Sequence, residues 1–144
     1  DIRGRDGLVL KDKWSDGPKT YLGMGSFGFP NLFTVVGPHN GATFCNIPRC
    51  IEQNVEWVSD CIKYLTENEI SRIEVNQDAE DEWTDHVQEV VKGTLFPEAD
   101  SWFMGANIPG KKRQMYLYAG GSPLYRERCD NVAANNYEGY TLVK

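Results

Sequence analysis

Leu32-Phe-Thr-Val-Val-Gly-Pro-His-Asn-Gly-Ala-Thr-Phe-Cys-Asn-Ile-Pro48 is the stretch on which the fold turns. Leu32–Val36 is a β-branched apolar run stopped by Gly37-Pro38, the pattern of a buried strand. Small residues follow to Asn46, and Pro48 suits the first turn of a helix, where its missing N–H leaves nothing unpaired. Apolar residues at 51, 55, 58, 62 and 65 then recur every three or four positions, which predicts one long helix from about Pro48 to Asn68 with that stripe facing a core. A strand, a loop of small residues and a helix start form a place for a polar or anionic group, because the first helical N–H groups are unpaired and carry partial positive charge. An ordinary βα unit is the plainer reading of the same residues.

Outward from this unit the signals are local. Residues 1–31 are rich in Gly and Pro and read as connecting structure, with extended pieces around Leu8–Leu10 and Thr20–Met24. Ser71–Val75 reads as a short strand. Asn76 or Asp78 can cap a second helix, with acidic residues in its first turn, an apolar face of Trp83, Val87, Val90, Val91 and Thr94, and an end near Leu95 before Pro97. Met115–Tyr118 alternates as a strand does, Gly120-Gly121 breaks it, and Ser122-Pro123 opens a third helix to Ala134. Tyr140–Val143 is a terminal strand. These elements define a mixed α/β chain with three helices and several short strands.

Composition excludes some functions. Fifteen basic against 21 acidic residues give a net charge of −6, opposite to a nucleic-acid footprint. Residues 52–100 hold 14 Asp and Glu against three Lys and Arg, which reads as solvated helix faces. His86 reads as a surface or boundary histidine with no identifiable partner. No apolar run approaches the roughly 20 residues of a membrane span. Cys45, Cys50, Cys61 and Cys129 form no Cys-x-x-Cys pair and read as free thiols in a reducing cytoplasm. Neither metal-ligand spacing nor a nucleophile–base pair is present, and Glu52 and Glu56 read as a solvated helix edge, so no catalytic or metal-binding residue is assigned.

Ser101-Trp-Phe-Met-Gly-Ala-Asn-Ile-Pro-Gly-Lys-Lys-Arg113 breaks the rules of a packed domain. It sets large aromatics beside turn residues and then three cations, as a loop folding over a phosphate-bearing ligand requires; a structural loop with a basic corner is the alternative. Ser101-Trp-x-x-Gly-Ala-Asn-Ile-Pro-Gly-Lys111 closely resembles a segment near the C-terminus of the Baeyer–Villiger monooxygenases. Further matches fall in family order: Asp1-Ile-Arg-Gly-Arg-Asp-Gly7, Trp14-x-x-Gly-Pro-x-x-Tyr21, Gly28-Phe-Pro-Asn-Leu-Phe33, Gly37-Pro38, Asn46-Ile-Pro48, Ile51-Glu-x-x-Val-Glu-Trp57 and Tyr137-Glu-Gly139. The chain lacks the Gly-x-Gly-x-x-Gly dinucleotide fingerprint, the family's Phe-x-Gly-x-x-x-His-x-x-x-Trp-Pro motif and the segment that carries its catalytic arginine. With Asp1 in place of a methionine, it looks like the C-terminal quarter of a larger enzyme.

The resemblance implies the C-terminal part of a flavoprotein with two dinucleotide domains, using FAD and NADPH to insert oxygen beside a ketone in the cyclic or steroid range. By it, residues 1–31 connect, 32–70 end the FAD-binding domain, 71–99 are an acidic helical segment, 100–118 are a mobile loop and strand over NADP and substrate, and 119–144 are a closing helix and strand. Asn46, Ile47 and Pro48 would lie at the flavin edge, Trp102 would bond a ribose hydroxyl of NADP, and Asn107 and Lys111 would lie near it. Thr43 and Phe44 would line the substrate side with Ala42, and Tyr116 would join them. The remaining polypeptide and a small ketone are the implied partners, with no nucleic acid or membrane; the piece alone would be inactive, bind FAD weakly and self-associate. An N- or S-oxygenating relative, or a stand-alone interaction domain, are the alternatives.

Overall fold

The structure, a computed structural model, describes residues 1–41 and 45–144. Its elements are α1 (Leu10–Lys13), α2 (Ile47–Glu67), β1 (Arg72–Val75), α3 (Gln77–Val91), α4 (Ser122–Ala134) and β2 (Tyr140–Val143), with single 3-10 turns at Arg5–Gly7, Phe96–Glu98 and Trp102–Met104. The strands pair antiparallel, Arg72 opposite Val143 and Val75 opposite Tyr140. The mixed α/β class and the three long helices agree with the sequence reading.

Local signals explain where elements begin and end. Asn76 stands at the α3 cap position, with Asp78 and Glu80 in the first turn where the helix dipole favours them. Its side chain is used differently, accepting from the Thr141 hydroxyl at 2.6 Å and so tying the α3 start to β2. α3 ends at Val91, four residues short of expectation, and Pro97 falls inside the following 3-10 turn. Ser122 is the first residue of α4, preceded by Gly121 at φ 84, a conformation glycine adopts without steric cost.

The core joins Trp83, Val87 and Val91 of α3 to Tyr125, Cys129 and Val132 of α4, with Trp57 and Cys61 of α2 and Ile73 of β1. The Trp57 indole N–H donates to the Cys129 carbonyl at 2.8 Å, fixing α2 against α4. Ring pairs Trp83–Tyr118 and Trp57–Tyr137, 5.1 and 5.2 Å between centroids, fill the centre.

Two acidic residues read as solvated are buried. Glu80 accepts from Lys13 Nζ at 2.7 Å and from the Phe27 amide at 2.8 Å. Glu74 bonds Arg5 Nε at 2.9 Å and the Gly28 amide at 3.1 Å. They clamp residues 5–28 onto α3 and β1, so the N-terminal stretch is held by buried charge. Sequence counts charges without revealing partners 46 and 53 positions away.

Other expectations also change. Leu32–Val36 forms no strand ladder; Thr34 N–H bonds the Met24 carbonyl and Val36 turns at φ 53. A strand needs an extended neighbour, and the described residues offer this run none. Met115–Tyr118 is no strand either, since its amides go to the Gln88 side chain and to the Phe103 and Asn40 carbonyls. The stripe of α2 predicted to face a core does so only in part: Val58 and Leu65 pack against the core, but Ile51, Val55 and Ile62 are 40, 47 and 51% exposed, while Gln53 and Asn54 face inward. Periodicity identifies a helix face but not what covers it. Cys45 and Cys50 are joined in a disulfide, contrary to the free-thiol reading. Cys61 and Cys129 are free and buried, and burial pushes both thiols up to about 12.

Candidate functional site

A buried polar network places the segment that enters the loop before α2. The Asn40 side-chain amide donates to Asn54 Oδ1 and to the Tyr125 hydroxyl, both at 2.7 Å, and Tyr125 donates to the Leu22 carbonyl at 2.7 Å. Asn54 Oδ1 also accepts the Val36 amide at 3.0 Å. Gly41 lies so close to the Tyr125 ring that an added Cβ would stand 2.9 Å from it, so the backbone passes only as glycine. His39 is fully buried beside the Thr20 hydroxyl at 3.2 Å, and burial lowers its pKa to about 4, so the ring is neutral. Sequence reasoning missed His39, Asn40, Asn54 and Tyr125; Asn and His in a glycine-containing loop were the only signal.

The same segment holds the far loop. The His39 amide bonds the Tyr116 carbonyl at 2.7 Å and the Tyr118 amide bonds the Asn40 carbonyl at 3.0 Å. Between them opens a cleft of about 390 Å³ whose lining includes Trp14, Gly37, Pro38, Ile108, Lys111 and Tyr116. Lys111 Nζ donates to the Trp14 carbonyl at 3.2 Å. Tyr116 packs on Gly105, where a φ of 71 and an added Cβ standing 2.7 Å from the Tyr116 hydroxyl oxygen both disfavour a side chain.

The expected site residues fall in three places. Lys111 and Tyr116 share the cleft. Trp102 sits on the rim of the 3-10 turn, 60% exposed, its ring 4.1 Å from Phe103, and its indole N–H has no acceptor among the described residues; exposed Asn107 likewise has no side-chain bond there. Arg113 is occupied by Asp100 at 2.6 Å and the Ala99 carbonyl at 2.7 Å. Asn46, Ile47 and Pro48 are exposed at the start of α2, where no side chain caps the first amides. Thr43 and Phe44, with Ala42, lie outside the described residues. A larger cleft of about 890 Å³ between α3 and α4 carries none of these residues. It holds His86, whose Nε2 does find a partner, the Tyr118 hydroxyl at 3.4 Å, and whose pKa is lowered by burial and Arg128.

No family model matches the chain. It is 46% identical to the cyclohexanone 1,2-monooxygenase of Acinetobacter sp. over 142 residues, 99% of this chain and 26% of that protein. Its structure matches the crystal structure of cyclohexanone monooxygenase from Rhodococcus sp. Phi1 bound to NADP+ at a TM-score of 0.95 and 44% identity, covering 100% of this chain and 27% of that one. OTEMO, solved in complex with FAD and NADP, matches at a TM-score of 0.92 and 44% identity over 99% of this chain and 26% of its own. The relatives this chain matches over almost its whole length are Baeyer–Villiger monooxygenases.

It spans about a quarter of the length of the relatives it matches and corresponds to the C-terminal part of the Baeyer–Villiger monooxygenase fold. No helix among the described residues is long and apolar enough to cross a membrane.

Proposed function

We propose that this segment completes the cofactor and substrate sites of a flavin-dependent Baeyer–Villiger monooxygenase whose other parts lie in a longer polypeptide. The observation that supports this best is the edge carrying Trp102 and Asn107. Both donors are exposed and unpartnered among the described residues, beside a cleft that holds Lys111 and Tyr116. Such an edge fits a ribose and phosphate ligand: an N–H for a hydroxyl, an ammonium for charge, and an aromatic for contact area. When bound, FAD reduced by NADPH supplies the oxygen-transfer chemistry that inserts one atom of O2 beside a ketone carbonyl, giving an ester or lactone.

The chain's own residues position and shield. Asn46, Ile47 and Pro48 present the uncapped start of α2 to the flavin edge, where backbone N–H groups favour negative charge. The Trp102 indole N–H bonds a ribose hydroxyl of NADP, and Asn107 and Lys111 lie along the same cofactor. Tyr116, with Thr43 and Phe44, faces the ketone. Residues 32–70 finish the FAD-binding domain, 71–99 brace it, and 100–118 form the covering loop, which keeps water from the reacting centre. The exposed stripe Ile47, Ile51, Val55 and Ile62 docks on the rest of the polypeptide, and in the isolated segment it drives self-association. The cytoplasm is the proposed compartment.

The test uses the longer polypeptide. It should retain flavin and oxidise NADPH only when a ketone is supplied, with ester as product. Trp102→Ala should raise KM for NADPH about tenfold, the loss of one hydrogen bond and its contact area, with kcat at saturation little changed. Unchanged KM, or NADPH oxidation indifferent to ketone, would remove the assignment.

A further inference from the structure

Cys45 and Cys50 flank the start of α2, with Asn46, Ile47, Pro48 and Arg49 between them. Their Cα atoms are 6.7 Å apart, within the range a disulfide spans without backbone movement. A ring this small constrains the unfolded chain less than a long loop would, so the bond contributes comparatively little as a staple. The two sulfurs sit differently. Cys45 is half-buried and immediately precedes the α2 cap residue Asn46, near uncapped amides whose partial positive charge favours a thiolate. Cys50 is 1% exposed, its sulfur 3.9 Å from the Gly41 carbonyl oxygen and 4.0 Å from the Ser122 hydroxyl. Cys61 and Cys129 are fully buried as well, and neither is joined to another sulfur.

We propose that Cys45 and Cys50 are a peroxide-responsive thiol–disulfide pair, a modification site that locks the first turn of α2 when oxidised and frees it when reduced. The Cys45 thiolate attacks one oxygen of hydrogen peroxide; the O–O bond breaks, hydroxide leaves, and the sulfur becomes a sulfenic acid. The Cys50 thiolate then displaces hydroxide from that sulfur and the S–S bond forms. The sulfurs lose two electrons in total, and the peroxide, taking up the two thiol protons, becomes two waters. A dithiol reverses the step by exchange. In a reducing compartment such a bond is transient, the behaviour of a sensor and not of a staple. Asn46–Pro48 lie inside the ring, so on the reading given under Proposed function the redox state also sets how firmly the flavin edge is held. The thiol chemistry itself does not depend on that reading.

The experiment needs no flavin readout. The intact polypeptide is reduced, freed of reductant, treated with hydrogen peroxide, alkylated and digested with trypsin. Arg49 lies inside the ring, so cleavage there separates peptides 20–49 and 50–63 unless the disulfide joins them. The expected result is that peroxide joins the two peptides within one chain and dithiothreitol releases them. The joined pair should persist in Cys61→Ala, whose residue shares the second peptide, and vanish in Cys45→Ser, with far-ultraviolet circular dichroism showing both variants folded. Cys45 and Cys50 still fully alkylated after peroxide, a link that needs Cys61, or a link only between chains would overturn the proposal.

Discussion

The two faces of α2 could hardly differ more. The inward face carries Gln53 and Asn54 beside Trp57 and Cys61, and all four are buried. The outward face carries Ile47, Ile51, Val55 and Ile62, and all four are exposed. Inside, Asn54 is accepted because it finds partners at defined geometry, serving Asn40, Val36 and Tyr125, whereas Gln53 Nε2 is buried without a hydrogen-bond partner among the described residues. Outside, the apolar groups have no covering surface among the described residues. One side of α2 is packed and the other is bare apolar surface, in a chain that spans about a quarter of the length of its relatives.

The sharpest way to break this comparison is to cut into each side and compare the losses. Trp83→Ala, at the buried meeting point of α3, α4 and Tyr118, should cost about 3–5 kcal/mol and unfold the chain, measured by denaturant titration. Ile62→Ser on the open face should move stability by no more than about 0.5 kcal/mol, while reducing self-association in sedimentation. Equal losses at both sites would end the comparison.

A second effect comes from pH. The His39 pKa is 6.5 in an ordinary setting and about 4 here, because burial disfavours its charge. The unfolded chain therefore binds the proton more readily. The His39 contribution is complete above pH 6.5, is lost as pH falls toward 4, and changes no further below that, about 3 kcal/mol in all. His39→Gln should flatten that part of the stability–pH curve. Smaller again is Asn54→Ala, which removes one of the two bonds of the Asn40 side-chain amide and leaves the Val36 amide without its acceptor, and should cost about 1–3 kcal/mol.

How much could be read in the sequence follows the same division. α3, α4, β1 and β2 were legible because their signals are local: a cap position at Asn76, Pro123 in a first turn, short β-branched runs. Elements defined by what lies across from them were not. Leu32–Val36 has the composition of a strand and no ladder, and of the α2 stripe only Val58 and Leu65 meet the core while Ile51, Val55 and Ile62 face out. Glu74 and Glu80 looked solvated because their partners come from residues 5–28. At the candidate site, the turn chemistry around Trp102 and Gly105 correctly marked a surface loop, and Lys111 and Tyr116 do share a cleft. The His39–Asn40–Asn54–Tyr125 network joins positions 14, 85 and 103 residues apart, beyond any local pattern.

The most direct measurement is the intact mass of the native gene product. Because the chain spans 26% of its cyclohexanone-oxidising relative, the account predicts roughly four times 16.3 kDa, with the outer face of α2 covered by the additional polypeptide. A native product near 16.3 kDa, monomeric and with that face still bare, would contradict it.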